Sequence, residues 1–183
     1  MVFSQFTPQK NIWIFGYASL MWRPGFPFVE TQTALLRGYH RALCVYSTKY
    51  RGTPQKPGLV MGLDHGGSCI GRAFLLAKND VPKVMEYLHE RELDTNTYTP
   101  KFLTVKLNNG RKVKAYHFLV RREHEQYAGK LSFNETVELV RSGVGPKGTS
   151  IEYLGNTLDH LKSMGINERM LQKIYDSAKG PIS

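Results

Sequence analysis

The sequence is poor in cysteine, poor in acid, and without long apolar runs. Only two cysteines, Cys44 and Cys69, occur in 183 residues. Both fall in apolar, strand-like stretches and read as small core residues rather than as a disulfide or a metal pair. No stretch is long and apolar enough to span a bilayer, so no membrane partner is expected. Positions 1–10 are mixed and polar with no apolar signal core, so the expected address is cytoplasmic. Acidic residues are outnumbered, 15 against 25 Lys and Arg, for a formal net charge of +10. That surplus favours anions in general. The basic residues are scattered, with no dense block and no recognised motif, so a nucleic-acid partner is not expected. There is no internal repeat and no low-complexity segment. A single domain over 1–183, with flexible termini at 1–10 and 180–183, is the expected organisation.

What the chain does have is a short aromatic and β-branched run, Ile12, Trp13, Ile14 and Phe15, that stops at Gly16. Length and composition make it a buried strand. Tyr17, Ala18 and Ser19 follow, and small residues at a strand tip let a ligand approach backbone N–H groups closely. Such a tip suits an anion or a carbonyl oxygen.

Further strands are expected near 32–38, 40–47, 58–63 and 69–77, with a turn at His65-Gly66-Gly67 between the last two. Asn108-Asn109-Gly110 separates 102–107 from 112–120 as a hairpin. A helix begins after Asn79, its expected N-cap, with Pro82 in the first turn and an inward stripe of Val81, Val84, Met85 and Leu88. Three more helices follow residue 120. Ser132 and Glu135 form a capping-box pattern stopped by Gly143. Ser150 is the expected cap of a helix with stripe Ile151, Leu154, Leu158 and Leu161, stopped at Gly165. Asn167 is the expected cap of the last, with Met170, Leu171 and Ile174 inward and Gly180-Pro181 at its end. Strands with helices around them predict an α+β fold, a small closed or strongly curved, mostly antiparallel β-barrel with surrounding helices.

The helix after Asn79 ends His89-Glu90-Arg91-Glu92. At about 100° per residue, Glu90 faces away from Leu88, whereas Glu92 continues the stripe of Met85 and Leu88. A carboxylate on an inward stripe must find partners or hold its proton more tightly. A helix C-terminus pushes the same way. Both effects suit a group that exchanges a proton near neutral pH. Periodicity leaves a second reading open, in which the helix frays at Leu93-Asp94 and Glu92 swings out to water. His89 has no second histidine at the spacing a zinc motif needs, and reads as a surface or supporting residue.

With these residues in view, the chain resembles the ChaC-type γ-glutamylcyclotransferases. Ile14-Phe15-Gly16-Tyr17-Ala18-Ser19-Leu20-Met21-Trp22, with Pro24, Phe26 and Phe28, is similar to that family's strand-and-loop signature. Arg51-Gly52-Thr53-Pro54 with Lys56-Pro57-Gly58 matches a second segment. Tyr87-Leu88-His89-Glu90-Arg91-Glu92 matches the segment bearing the family's catalytic glutamate, and Gly145-Pro146-Lys147-Gly148 with Glu152-Tyr153-Leu154 matches a C-terminal one. The chain departs from the family in three places. Ala18 stands where glycine is usual, the loop after Glu92 is longer, and Ser150 replaces an asparagine. These departures bear on substrate choice and rate more than on reaction type.

The resemblance implies a metal-free and cofactor-free cleavage of glutathione to 5-oxoproline and cysteinylglycine. The glutamyl α-amine attacks its own side-chain carbonyl, with Glu92 as general acid and base. It also implies a substrate site drawn from Ile14, Phe15, Gly16, Tyr17, Ala18, Ser19 and Leu20, whose backbone amides would hold an oxyanion or a carboxylate. Arg51 is a candidate carboxylate partner, or a solvated loop arginine. Tyr17 and Tyr98 are candidate hydrogen-bond partners of substrate, or ordinary buried tyrosines. Ser19 has no histidine in a triad pattern and is not read as a nucleophile. Two rivals stay open: another γ-glutamyl amide as substrate, and a non-catalytic basic binding module on the same fold.

Overall fold

The computed structural model describes residues 10–180. The flexible termini expected at 1–10 and 180–183 lie outside that range except for Lys10 and Gly180, as does Pro181. In chain order the elements are β1 (Ile12–Gly16), α1 (Ser19–Trp22), β2 (Glu30–Ser47), β3 (Gly58–Leu76), α2 (Val81–Glu92), β4 (Tyr98–Leu107), β5 (Lys112–Val120), α3 (Phe133–Ser142), β6 (Val144–Gly145), β7 (Gly148–Thr149), α4 (Ser150–Ser163) and α5 (Arg169–Lys179). The first five strands close a barrel in the order β1-β3-β2-β4-β5, and β6 and β7 form a separate two-stranded ribbon. β1 lies antiparallel to β3, β2 to β4 and β4 to β5, and a parallel pairing of β1 with β5 closes the ring. The expected α+β barrel with helices is therefore the fold that forms.

The chain divides into two compact units. One holds the described residues up to Arg41 with Leu63–Arg121, and the other holds Ala42–Gly62 with the described residues from Arg122 on. β2 and β3 have residues in both.

In the first unit, the apolar β1 goes to the interior, and Ile14 and Phe15 have no solvent exposure. The inward stripe of α2, Val81, Val84, Met85 and Leu88, packs with Ile14, Leu20, Phe26, Phe74, Leu76, Tyr116 and Phe118. Each such aliphatic side chain stabilises by roughly 1.5–3 kcal/mol when fully buried. Asp80, not Asn79, occupies the N-cap of α2, and its side chain makes no capping bond. Pro82 is the second residue of the helix, in the first turn where no backbone N–H is needed.

Two expected breaks are absent. The runs 32–38 and 40–47 are one strand, and so are 58–63 and 69–77. Gly38, Gly66 and Gly67 adopt φ of 85°, 96° and 67°, and glycine tolerates this inside a ladder, so the strand kinks without ending. His65-Gly66-Gly67 is thus not a turn between strands. The hairpin at Asn108-Asn109-Gly110 does form, with Gly110 N–H donating to the Leu107 carbonyl at 2.9 Å.

In the second unit the Ser132–Glu135 capping box is complete, and Gly143 caps the far end of α3. The cap of α4 is Thr149, whose hydroxyl accepts from Glu152 N–H at 3.1 Å. Ser150 is instead the first helical residue. Its buried Oγ accepts from Leu59 N–H at 3.0 Å and donates to the Arg51 carbonyl at 3.2 Å. The N-cap of α5 is Glu168 rather than Asn167, and its inward stripe is Leu171, Ile174 and Ala178. Met170, expected inward, is 63% exposed, because it sits about 100° around the helix from Leu171, off the stripe of Leu171, Ile174 and Ala178. Cys44 and Cys69 are both buried free thiols.

Candidate active site at the β1 tip and the end of α2

β1 ends at Gly16, and the chain folds back at once into α1. A Cβ on Gly16 would lie 3.0 Å from Leu20 Cβ and 3.2 Å from the Leu20 carbonyl carbon and Met21 nitrogen, so a side chain there would crowd the fold-back. Met21 N–H donates to the Ala18 carbonyl and Arg23 N–H to the Ser19 carbonyl, each at 2.8 Å. The amides of Ser19 and Leu20 stand at the start of this turn, where a helix offers no acceptor of its own. Ala18 has φ of −142°. Its backbone therefore lies outside the left-handed region that would favour glycine there. Tyr17, Ala18 and Leu20 are buried.

An arginine that sequence reasoning missed pins this loop. Arg41 of β2 is 8% exposed. Its Nε donates to the Tyr17 carbonyl, and its Nη2 donates to the Ile70 carbonyl at 2.6 Å and approaches Met21 Sδ at 3.9 Å. The signal was present: strand parity puts Arg41 on the same face as the buried Leu43 and Val45.

Glu92 is the last residue of α2. Its side chain is only 17% exposed, so the reading in which it swings out to water does not hold. Leu93 N–H closes the helix onto the His89 carbonyl at 2.9 Å. Burial pushes the Glu92 carboxyl above its ordinary pKa, and the neighbouring Arg91 guanidinium pulls back, without cancelling the shift. Arg91 Nε lies 3.1 Å from Glu92 Oε1. Glu90 faces water as expected. His89 Nε2 is 2.7 Å from the Tyr116 hydroxyl, which burial pushes up to about 12, so Tyr116 stays protonated.

Tyr98 opens β4 opposite Val120 and packs, partly buried, against the apolar cluster under α2. The longer loop after Glu92 is tied down by backbone hydrogen bonds. Asn96 N–H donates to the Leu93 carbonyl at 3.0 Å, and Arg121 N–H to the Thr97 carbonyl at 2.9 Å.

The first unit thus holds Ile14 to Leu20, Glu92 and Tyr98. Arg51 belongs to the second. It is no solvated loop residue: it is 8% exposed, with Nη1 3.4 Å from Glu152 Oε2 and 3.3 Å from the Thr149 carbonyl, over the Tyr153 ring. Among the described residues no group of three or more His, Cys, Asp or Glu side chains could hold a metal ion.

The β1 tip and the end of α2 carry two of the four sequence segments on which the resemblance to the ChaC-type proteins rests. The family model for ChaC-like protein matches residues 12–179. The chain belongs to the ChaC-like family. Among curated ChaC-like relatives, the glutathione-specific gamma-glutamylcyclotransferase of Escherichia coli (strain K12) is 34% identical, over 92% of this chain and 73% of that protein. The human glutathione-specific gamma-glutamylcyclotransferase 1 is 30% identical, over 85% and 72%. The fold also matches a crystal structure of a gamma-glutamyl cyclotransferase specific to glutathione from yeast. That match has a TM-score of 0.85 and 22% identity, over 93% of this chain and 96% of that one. Among the described residues no helix is long and apolar enough to cross a membrane.

Proposed function

We propose that this chain is a γ-glutamylcyclotransferase that cleaves glutathione to 5-oxoproline and cysteinylglycine, with Glu92 as the single proton carrier. The glutamyl α-amine attacks the side-chain amide carbonyl of the same molecule. A carbon–nitrogen bond forms, closing the five-membered ring, and the bond to the cysteinyl nitrogen breaks. Nucleophile and electrophile share one substrate, so the protein needs mainly to hold the arm in a ring-closing pose. The amine arrives as an ammonium and cannot attack until it loses a proton. Glu92 takes that proton and delivers one to the leaving nitrogen. Its raised proton affinity suits both transfers.

The observation that carries this reading is a largely buried carboxyl at the end of α2, whose proton affinity burial raises, in a chain whose curated relatives bear the name of this activity. The negative charge on the tetrahedral intermediate, or a substrate carboxylate, would fall to backbone N–H groups between Ile14 and Leu20. Losing one such donor typically costs about 3–4 kcal/mol of barrier. Tyr17 and Tyr98 are proposed to hydrogen-bond substrate, and Arg51 to be a partner for a substrate carboxylate. In this reading residues 1–183 act as one cytoplasmic domain on a small-molecule substrate without nucleic acid. A second reading keeps the chemistry and changes the amine released. Ala18 and the longer loop after Glu92, both departures from the family pattern, favour testing γ-glutamyl-alanine beside glutathione.

The experiment is release of 5-oxoproline from glutathione by the purified protein and by Glu92→Gln, which keeps size and polarity but accepts no proton. The expected loss is about 10³-fold or more at unchanged fold. Wild-type turnover in the variant would remove Glu92 from the reaction.

A further inference from the structure

Arg91 has no part in the chemistry above, yet all three of its guanidinium nitrogens are engaged. Nε meets Glu92 Oε1 at 3.1 Å. Nη1 donates to the Arg23 carbonyl at 2.7 Å, to the Pro24 carbonyl at 3.2 Å and to the Tyr87 hydroxyl at 2.8 Å. Nη2 donates to Ser19 Oγ at 3.0 Å. Ser19, Arg23 and Pro24 belong to the segment that leaves the β1 tip, and Glu92 belongs to α2. One planar cation therefore joins the acid to the loop whose amides face it in the proposed reaction. Gly25 serves the same joint: it has φ of 75°, and a Cβ there would come within 2.2 Å of the Tyr87 hydroxyl.

We infer that Arg91 is a positioning residue, which holds Glu92 and the loop after Gly16 in one geometry and so sets the reach of the base to the reacting amine. This rests on Glu92 being the base. Glu92 is the terminal residue of its helix, where backbone order alone is weakest. A sideways tether is what keeps its carboxyl in place. Hydrogen bonds from a charged donor are roughly twice as strong as neutral ones, and the fork of a guanidinium reaches several acceptors at once. A lysine ammonium is a point charge on a flexible stem and does not reproduce that set. Misplacing a reacting group by about 1 Å costs about 10²-fold in rate.

The same guanidinium acts on the proton of Glu92, lowering its affinity against the effect of burial. Arg91 is the charged group set against that carboxyl, both as a charge and as a hydrogen-bond donor. The strand residues packed on the cluster beneath α2 that titrate at all are tyrosines, Tyr98 of β4 and Tyr116 of β5, and the latter is protonated and bonded to His89. Removing the positive charge therefore moves the Glu92 proton equilibrium upward.

The test compares Arg91→Gln, Arg91→Lys, Glu92→Gln and the wild type. It measures 5-oxoproline release from glutathione across pH, normalised to folded protein from thermal melts. In both Arg91 variants kcat is expected to fall about 10²-fold with KM little changed. The acid limb of kcat/KM is expected to move up by about one pH unit in Arg91→Gln and to stay near the wild-type position in Arg91→Lys. Wild-type kcat per folded molecule, or an unmoved acid limb in Arg91→Gln, overturns the inference. Failure of both variants to fold does so too, because Arg91 would then be structural only. If Glu92→Gln is inactive while the Arg91 variants match wild type, only this inference fails. If Glu92→Gln keeps its turnover, the base assignment fails instead.

Discussion

A carboxyl that holds its proton more tightly in the folded protein than in the unfolded chain costs stability once it ionises. Glu92 is such a group, with its affinity raised by burial despite Arg91. Its contribution is favourable below the unfolded pKa and is lost as pH rises through the higher, folded one. Glutamine imitates the protonated form at every pH. Glu92→Gln is therefore expected to melt at or above the wild-type temperature at pH 7, with the gap closing as pH falls toward 4. A variant less stable than wild type at pH 7 by more than about 1 kcal/mol, a typical single-mutation loss, would mean that the ionised carboxylate supports the fold. The inward direction of Glu92 was legible in the sequence, because its spacing from Met85 and Leu88 is the spacing of one helix face. The engagements of Arg91 and Arg41 were not. Strand parity marks the inward side of Arg41, but the partners of both arginines are set by the tertiary fold, which a long side chain reaches from a distance.

At the scale of elements, adjacent hydroxyls on the α4 entrance divide the work. Thr149 caps the helix, and Ser150 bridges Leu59 N–H and the Arg51 carbonyl while fully buried. Losing the cap through Thr149→Ala is expected to cost about 1 kcal/mol. Ser150→Ala strands a buried N–H and is expected to cost more, about 1–3 kcal/mol. Urea melts of the two variants check the order, and an equal or reversed order would contradict it. The sequence pointed to Ser150 as the cap because either hydroxyl satisfies the pattern. Only the long-range partner at Leu59 separates them. Asn79 and Asn167 mislead for a related reason: each stands next to the residue that occupies the cap position, Asp80 and Glu168. Gly66-Gly67 misled in the other direction, since a glycine pair reads as a turn while strand pairing around it holds the chain extended. Stripes with full periodicity, such as that of α2, were legible in type and in face.

For the molecule as a whole, the basic surplus has a partly internal explanation. Arg41 and Arg51 are each 8% exposed, and the Arg91 side chain 21%, all three committed to carbonyls, hydroxyls or carboxylates. Some of the net charge of +10 is thus spent inside the protein rather than displayed to a partner. The barrel class was legible from alternating strand runs followed by helices. The ring closure was not, because a parallel pairing of β1 with β5 joins strands far apart in sequence and leaves no local pattern. The functional conclusion converges on one exchangeable proton. It is tested most directly by titrating the Glu92 carboxyl by NMR in the free enzyme and comparing the midpoint with the acid limb of kcat/KM for 5-oxoproline release. The expected result is one shared midpoint above the ordinary glutamate value of 4.5, absent from Glu92→Gln. A Glu92 midpoint at or below 4.5, or an acid limb that survives unchanged in an active Glu92→Gln, would contradict Glu92 as the proton carrier.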